Sequence, residues 1–393
     1  MSNERKAIID DLLTRSVDQI IDKVHLETRL LNKEPLRIKF GIDPTSPNVH
    51  IGRAVPLLKL KKFQSLGCKI ILIIGDFTGV IGDTSDKNAE RPMLSREVVK
   101  ENLKTYIDQF KKIVDIDSVE VHYNSEWLGK LHYWELCEQA DQFSLNEFNS
   151  RTNIKKRLDS GSRVSLRELM YPMMQGYDSV MVKADVELGG SDQWFNLLAG
   201  RTLQKHYKQA PQDILTNTLI EGLDGRKMSS SWGNTINLND EPKEMYGKVM
   251  TLADSLMIKY FEACTEMPLK EVATLEDQLK TGKVSPRDLK ALLAFEITKL
   301  YWQEKGAKEG QDYFESVIRN KEVPTDMPFF NVAGLSIVDA LIASGLAESK
   351  SDARRTIDGR GVRIDGEVVI DYEGKLTSGS VIQKGKRHFV RVK

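Results

Sequence analysis

The residue types best suited to chemistry fall first in one stretch: Gly41-Ile42-Asp43-Pro44-Thr45-Ser46-Pro47-Asn48-Val49-His50-Ile51-Gly52-Arg53. An apolar run ends at Ile42, and two prolines then force an irregular turn. Val55, Leu58, Leu60 and Phe63 follow as an apolar helical face. The pattern reads as strand, tight loop, helix. A helix start of this kind draws anions, because unpaired N–H groups and the helix dipole both favour negative charge. Thr45 and His50 sit at its mouth, and Gly52 lets a ligand approach the backbone. Binding of phosphate oxygens is the chemistry this arrangement serves, although a plain capping turn has the same pattern.

Four further stretches carry reactive side chains. Gly75 to Lys87 is rich in Gly and Asp, includes Asp83, and is followed by Arg91; without context it is a surface loop. Beside a phosphate cradle, its carboxylates suit an amine or ribose, and Lys87 and Arg91 suit phosphate. Tyr171, Gln175 and Asp178 stand at i, i+4 and i+7, so on a helix they share one face. Flanked by Met173, Met174, Val180 and Met181, that stripe makes either a pocket floor or a solvated face. Gly189-Gly190-Ser191-Asp192-Gln193 is a second apolar-to-glycine transition opening a helix. Finally, Asp224-Gly225, a hairpin dipeptide, leads into Lys227-Met228-Ser229-Ser230-Ser231. A lysine and three hydroxyls on a tight loop suit phosphates that are separating.

The first and last of these stretches, in this order and separation, resemble the His-Ile-Gly-His and Lys-Met-Ser-Lys-Ser signatures of class I aminoacyl-tRNA synthetases. Tyr171-x-x-x-Gln175-x-x-Asp178 and Gly189-Gly190-Ser191-Asp192-Gln193 narrow the resemblance to tyrosyl-tRNA synthetases. The resemblance implies tyrosine and ATP as substrates and tRNA(Tyr) as acceptor. Mg²⁺ would ride on ATP, with no tightly bound metal. It implies that Asp83, Tyr171, Gln175, Asp178 and Gln193 hold tyrosine, Asp178 accepting from the phenol hydroxyl. Gly41, Asp43, Thr45, His50, Gly52, Gly190, Asp192, Lys227, Met228 and Ser229 would hold ATP. Thr45, His50, Lys87, Arg91 and Lys227 would act on the reacting phosphates. Departures from the family pattern are Arg53 for the final His, Ser230 for the second Lys, and Thr84 and Asp86 in the first loop. Lys39 stands where one branch places a second phenol-contacting tyrosine. A tryptophanyl-type enzyme and a catalytically weakened RNA-binding paralogue are the alternatives.

Positioning these groups calls for an α/β scaffold. Leu36–Ile42 and Ile70–Ile74 read as strands around the helix that ends before Gly67, and the second run is apolar throughout, as in a buried parallel sheet. Together they make the βαβ unit of a Rossmann-like doubly wound parallel sheet, with ligands beyond the strand C-termini. Glu4 to Leu31 reads as one amphipathic helix and Ser95 to Val114 as another. Residues 1–233 are expected to form the catalytic domain. Its helix-rich insertion at about 126–167 carries exposed-looking Tyr133, Trp134, Phe143 and Phe148. In the family that insertion forms much of a homodimer interface, and it reads equally well as an ordinary helical subdomain. Residues 234–319 read as a helical domain, taking part in tRNA recognition in the family, and 320–332 as a polar, Pro-containing linker.

Residues 333–393 read as two helices, a hairpin turning at Asp365-Gly366 and a last strand near His388–Val392. Arg354, Arg355, Arg363, Lys386 and Arg387 belong to a cationic excess there, and the module resembles an α+β S4-type RNA-binding domain whose cations would contact phosphates. The 57 basic and 57 acidic residues balance, which excludes a chain that coats nucleic acid non-specifically. Cys68, Cys137 and Cys264 form no metal or disulfide pattern, and the longest apolar run is too short to span a bilayer. A cytoplasmic protein with no membrane partner is expected.

Overall fold

The computed structural model describes residues 3–83, 93–319, 327–385 and 388–393. Thr84, Asp86, Lys87 and Arg91, Lys386 and Arg387, and positions 320–326 of the expected linker lie outside the described residues. The chain divides into two compact units, Met1–Ala307 and Lys308–Lys393.

The first unit is organised by a six-stranded sheet. Its strands are β1 (Val17–Ile21), β2 (Arg37–Ile42), β3 (Lys69–Ile74), β4 (Glu120–Tyr123), β5 (Val186–Gly190) and β6 (Asp213–Asn217), in the order β1-β6-β5-β2-β3-β4. All pairs are parallel except β1–β6. In β3 every residue after Lys69 is buried, as its unbroken apolar run requires. The chain leaves β2 toward β3 and β4, then returns to the other side of β2 with β5 and β6. The order therefore reverses between β2 and β5, which opens a crevice beyond their C-terminal ends.

The N-terminal segment differs from the single helix expected over Glu4–Leu31. It comprises α1 (Asn3–Leu12), strand β1 and α2 (Lys23–Leu31). Ser16 and Asp22 take left-handed backbone angles, φ 47° and 56°, which break the helix on either side of β1. Ile20 and Ile21 pair with Leu215 and Ile214, covering an edge of β6 that would otherwise be open. The Asp22 carboxylate then accepts from His25 N–H at 2.9 Å and starts α2. A partner strand nearly two hundred residues away leaves no trace in local periodicity.

Three helices carry the site: α3 (Ile51–Ser65), α4 (Leu166–Met181) and α5 (Trp194–His206). Ser165 and Glu168 form a capping box at the start of α4. The insertion consists of short helices, among them Tyr133–Ala140, Leu145–Asn149 and Thr152–Asp159. Tyr133, Trp134 and Leu145 are exposed, but Phe148, expected outside, is buried with its ring 5.1 Å from that of Phe195 on α5. Residues 234–307 belong to the first unit, where Arg15 donates to the carbonyls of Glu262 and Met267 at 3.0 and 2.7 Å.

The second unit holds a five-stranded sheet of β7 (Phe329–Phe330), β8 (Val362–Ile364), β9 (Glu367–Val368), β10 (Val381–Lys384) and β11 (His388–Val392), ordered β7-β11-β10-β8-β9. Helices α6 (Ile337–Ala343) and α7 (Lys350–Asp358) bury Leu341, Ala353 and Ile357 against Val362, Ile382 and Val390. Asp365 and Gly366 both have positive φ, 52° and 89°, the geometry of a two-residue hairpin turn between β8 and β9.

Candidate active site

A cavity opens at the strand C-termini, lined by the end of β2 (Gly41, Asp43, Thr45), the end of β5 (Gly189, Gly190, Asp192, Gln193), α4 (Tyr171, Gln175, Asp178) and the loop Lys227–Ser231. Stretches far apart in the chain thus meet at the point where the sheet reverses. Asp83, His50, Gly52, Arg53, Met228 and Ser229 line it as well.

The Pro-rich loop after β2 has no regular pairing, so its carbonyls need other partners. Two short helices supply them, Arg96–Leu103 and Tyr106–Phe110, in place of the one helix expected over Ser95–Val114. Asn102 donates to Pro44 O at 2.9 Å, Tyr106 to Ser46 O at 2.7 Å and Gln109 to Pro47 O at 3.0 Å, while Gln109 Oε1 accepts from Val49 N–H at 2.8 Å. The loop is thereby rigid before any ligand arrives. His50 sits at the N-cap of α3, and Ile51 N–H donates to Ile236 O at 2.9 Å, tying this loop to the chain just after the second signature. His50 is buried, and its Nδ1 has no hydrogen-bond partner among the described residues. Burial first, then the Arg53 and Lys227 cations, push the imidazole down to about 3, so it is neutral at neutral pH.

At the cavity floor a hydrogen-bonded chain joins four elements. Asp178, buried, accepts from Trp127 Nε1 at 2.7 Å and from Asn124 Nδ2 at 3.3 Å. Asn124 Nδ2 also donates to Thr78 Oγ1 at 2.9 Å, and Thr78 donates to Asp43 Oδ1 at 2.7 Å. Tyr171 OH closes the chain on Asp43 Oδ2 at 2.8 Å. Both oxygens of Asp43 are engaged inside the protein, so this carboxylate holds Tyr171 in place. Burial raises the Asp178 carboxyl to about 7, with Lys39, Trp127 and Asn124 opposing the rise. Burial, then Asp43, raises the Tyr171 phenol.

The remaining polar groups form the rim. Gln193 donates to Asp83 Oδ2 at 2.7 Å, and its own Oε1 accepts from Asn196 at 2.9 Å. Lys227 Nζ lies 2.8 Å from Asp192 Oδ2, bridging the second loop to the end of β5. That loop is shaped by Asn234, whose Oδ1 accepts from Ser229 N–H at 2.8 Å and whose Nδ2 donates to Asp224 at 2.6 Å. Gly225 (φ 79°) makes its turn. Arg53 donates to Thr45 Oγ1 and Tyr106 OH, both at 3.3 Å, and faces the cavity beside His50.

Sequence reasoning missed Thr78, Asn124, Trp127 and the clamp residues Asn102, Tyr106 and Gln109. Asn124 stands immediately after β4, at a strand C-terminus on the ligand side of a parallel sheet, and that position was a usable signal. Among the described residues no group of three or more His, Cys, Asp or Glu side chains is placed to hold a metal ion, and no helix is long and apolar enough to cross a membrane. In the second unit Arg354, Arg355 and Arg363 are all exposed. Arg354 lies over the Tyr372 ring, and Arg355 pairs with Asp352 at 2.6 Å.

Comparison with known proteins gives consistent matches. The family described as tRNA synthetases class I (W and Y) matches residues 31–318, and that described as the tyrosine–tRNA ligase SYY-like C-terminal domain matches 320–392. Tyrosine–tRNA ligase of Thermotoga maritima is 43% identical over 97% of this chain and 96% of its own. That of Dehalococcoides mccartyi is 41% identical over 98% and 99%. Among solved structures, the C-terminally truncated mitochondrial tyrosyl-tRNA synthetase of Aspergillus nidulans superposes with a TM-score of 0.65, 21% identity, and 80% and 95% of the two chains covered. The Archaeoglobus fulgidus tyrosyl-tRNA synthetase complexed with L-tyrosine gives 0.62, 21%, and 78% and 99%. These two likenesses speak to the fold alone.

Proposed function

The chain belongs to the class I tRNA synthetases, among the tyrosine–tRNA ligases, and from that premise we infer that its cavity seats tyrosine against Asp178 and ATP against the two signature loops. The observation that carries this reading is the buried Asp178 carboxylate at the cavity floor, held by Trp127 and Asn124. A phenol O–H completes its hydrogen bonding, whereas a phenylalanine ring leaves a buried acceptor unpaired. Tryptophan as substrate and an RNA-only role are not favoured, since relatives above 40% identity over almost the whole chain are named for tyrosine.

In the first step an oxygen of the tyrosine carboxylate forms a bond to the α-phosphorus of ATP. The bond from that phosphorus to the bridging oxygen breaks, and pyrophosphate leaves. Asp83, Tyr171, Gln175 and Gln193 surround the amino acid's ammonium and main chain. With its O–H hydrogen-bonded to Asp43, the Tyr171 oxygen presents lone pairs to the ammonium. Gly41, Gly52 and Gly190 let the nucleotide approach the backbone, and Asp192 accepts from ribose hydroxyls. Thr45, the neutral His50, Lys227 and Ser229 line the phosphates with Met228 beside them, where donors fixed in advance stabilise developing charge. Lys87 and Arg91 join them, and Mg²⁺ travels with ATP. In the second step a ribose hydroxyl at the tRNA 3′ end takes the tyrosyl group and AMP leaves.

The exposed Arg354, Arg355 and Arg363, with Lys386 and Arg387, contact RNA phosphates in an S4-like module following the linker. Exposed Tyr133, Trp134 and Leu145 support a homodimer through the insertion. Three free cysteines support a reducing cytoplasm. The test is ATP–pyrophosphate exchange on the purified chain with tyrosine, tryptophan and phenylalanine. Exchange with tyrosine alone is the expected result, and exchange with tryptophan would overturn the pocket assignment.

A further inference from the structure

Directly beneath the pocket floor lies a buried ion pair that takes part in none of these steps. Lys39 on β2 and Glu187 on β5 are both 0% exposed, with Nζ 2.8 Å from Oε1. Lys39 also donates to Gln175 O at 2.7 Å and Ser179 Oγ at 2.8 Å. An ammonium has three donors and no acceptor, so all three are consumed and none reaches the cavity. Glu187 in turn accepts from Gln175 Nε2 at 3.1 Å, Ser179 Oγ at 3.0 Å and Gln212 Nε2. Removing two ions from water is costly, and apolar residues of the same volume would fill the space with less penalty. Every contact on α4 falls on the single turn from Gln175 to Ser179, and that turn carries Asp178.

We propose that Lys39 and Glu187 are positioning residues for tyrosine selection: they lock the Gln175 carboxamide and the turn bearing Asp178, and the Lys39 cation keeps Asp178 as the anionic acceptor of the phenol. The proposal rests on the assignment of this cavity to tyrosine. Charged or titratable groups acting on Asp178 include Lys39 from β2, Glu187 from β5 and Tyr171 from its own helix, and His122 on β4 packs against Trp127 with ring centroids 5.6 Å apart; Asn124 and Trp127 are neutral donors. β3 presents only Ile71 and Ile73 to the cluster around Trp127. Lys39 favours the charged carboxylate and Glu187 opposes it, so removing one or the other moves Asp178 in opposite directions.

The experiment follows the KM for tyrosine against pH in ATP–pyrophosphate exchange. Either single change strands the other buried charge, so Lys39→Met/Glu187→Gln is the main variant and Glu187→Gln alone, which keeps Lys39 bonded to Gln175 O and Ser179 Oγ, is read beside it, each checked for cooperative unfolding. The glutamine oxygen replaces one of the two carboxylate oxygens, so it keeps an acceptor either for Gln175 or for Ser179 and Gln212. Lys39 outweighs Glu187 at Asp178, so the double variant is expected to displace the curve to higher pH and to raise KM several-fold, up to about tenfold, near neutral pH, with kcat moving far less. Glu187→Gln alone displaces the curve to lower pH. If both curves superimpose on the parent's, the pair is merely structural and the proposal fails. Should the double variant not fold, the single variant decides: displacement to lower pH supports the proposal, and superposition overturns it. A parent with no tyrosine-dependent exchange would instead refute the pocket assignment.

Discussion

At the seam between α4 and α5 a single added methyl group reaches the pocket through backbone. A Cβ on Gly176 would lie 2.9 Å from the carbonyl carbon and oxygen of Ala199 and 3.1 Å from the amide nitrogen of Gly200. On the other side, a Cβ on Gly200 would lie 3.0 Å from Ser179 Oγ. Carbon atoms rest at roughly 3.5 Å or more, so Gly176→Ala requires the helices to part by about 0.6 Å. The obstructing atoms are backbone and cannot rotate away. Overpacking of this kind costs about 1–3 kcal/mol, or roughly 4 °C in Tm at the middle of that range for a unit of this size. Gly176 stands between Gln175 and Asp178, so the shift passes directly to the tyrosine pocket. A misplacement near 1 Å costs on the order of a hundredfold, which puts the expected rise in tyrosine KM on the order of tenfold. Thermal unfolding and tyrosine-dependent exchange measure the two effects. A variant that keeps the parent's Tm and KM would show that the helices are not this close, and the packing argument would fall.

Trp127→Phe removes one of two donors to Asp178 while keeping an aromatic ring in the cluster with Leu128 and Val182. A hydrogen bond to a charged group contributes about 1.5–3 kcal/mol to stability, so Tm should fall, and tyrosine KM should rise several-fold as the carboxylate loses an anchor; a parent-like KM would count against Asp178 as acceptor. The Asp178 carboxyl, raised to about 7 on folding, binds a proton more tightly in the folded chain than in the unfolded one. Its contribution to stability is therefore full below about 4 and lost as pH rises through 7, while tyrosine KM improves over the upper part of that range. Asp178→Asn should flatten both dependences, as followed by chemical denaturation and exchange kinetics, and an unchanged KM–pH curve in that variant would refute the assignment. Lys227→Ala removes the cation paired with Asp192 and should lower the rate of adenylate formation about 10²–10³-fold in single-turnover measurements. A drop of less than threefold would place the phosphates elsewhere.

Much of the site was legible because its residues carry their chemistry in short local patterns. Tyr171, Gln175 and Asp178 share a helix face by spacing alone, and Asp224-Gly225 marks its turn with no help from the rest of the chain. Local pattern failed where a distant partner decided the outcome. Val17–Ile21 leaves helical periodicity to pair with β6, and Phe148 turns inward because Phe195 is there to receive it. The clamp on the Pro-rich loop was invisible for the same reason: Asn102, Tyr106 and Gln109 are ordinary surface residue types until a loop with unpaired carbonyls is laid against them.

By itself the sequence determined that a strand, a rigid turn and a helix would present Thr45 and His50 to an anion, that a polar stripe would follow on a later helix, and that a lysine loop would come last. It also carried the family resemblance. What it left open is which ionisation states and which orientations those groups take. Only tertiary structure brings Lys39 and Glu187 together with no water between them, sets Asn124 and Trp127 on the Asp178 carboxylate, and strips His50 of its charge. Charge and hydrogen-bond geometry depend on desolvation and on neighbours from other elements, and neither is a property of any one stretch of chain.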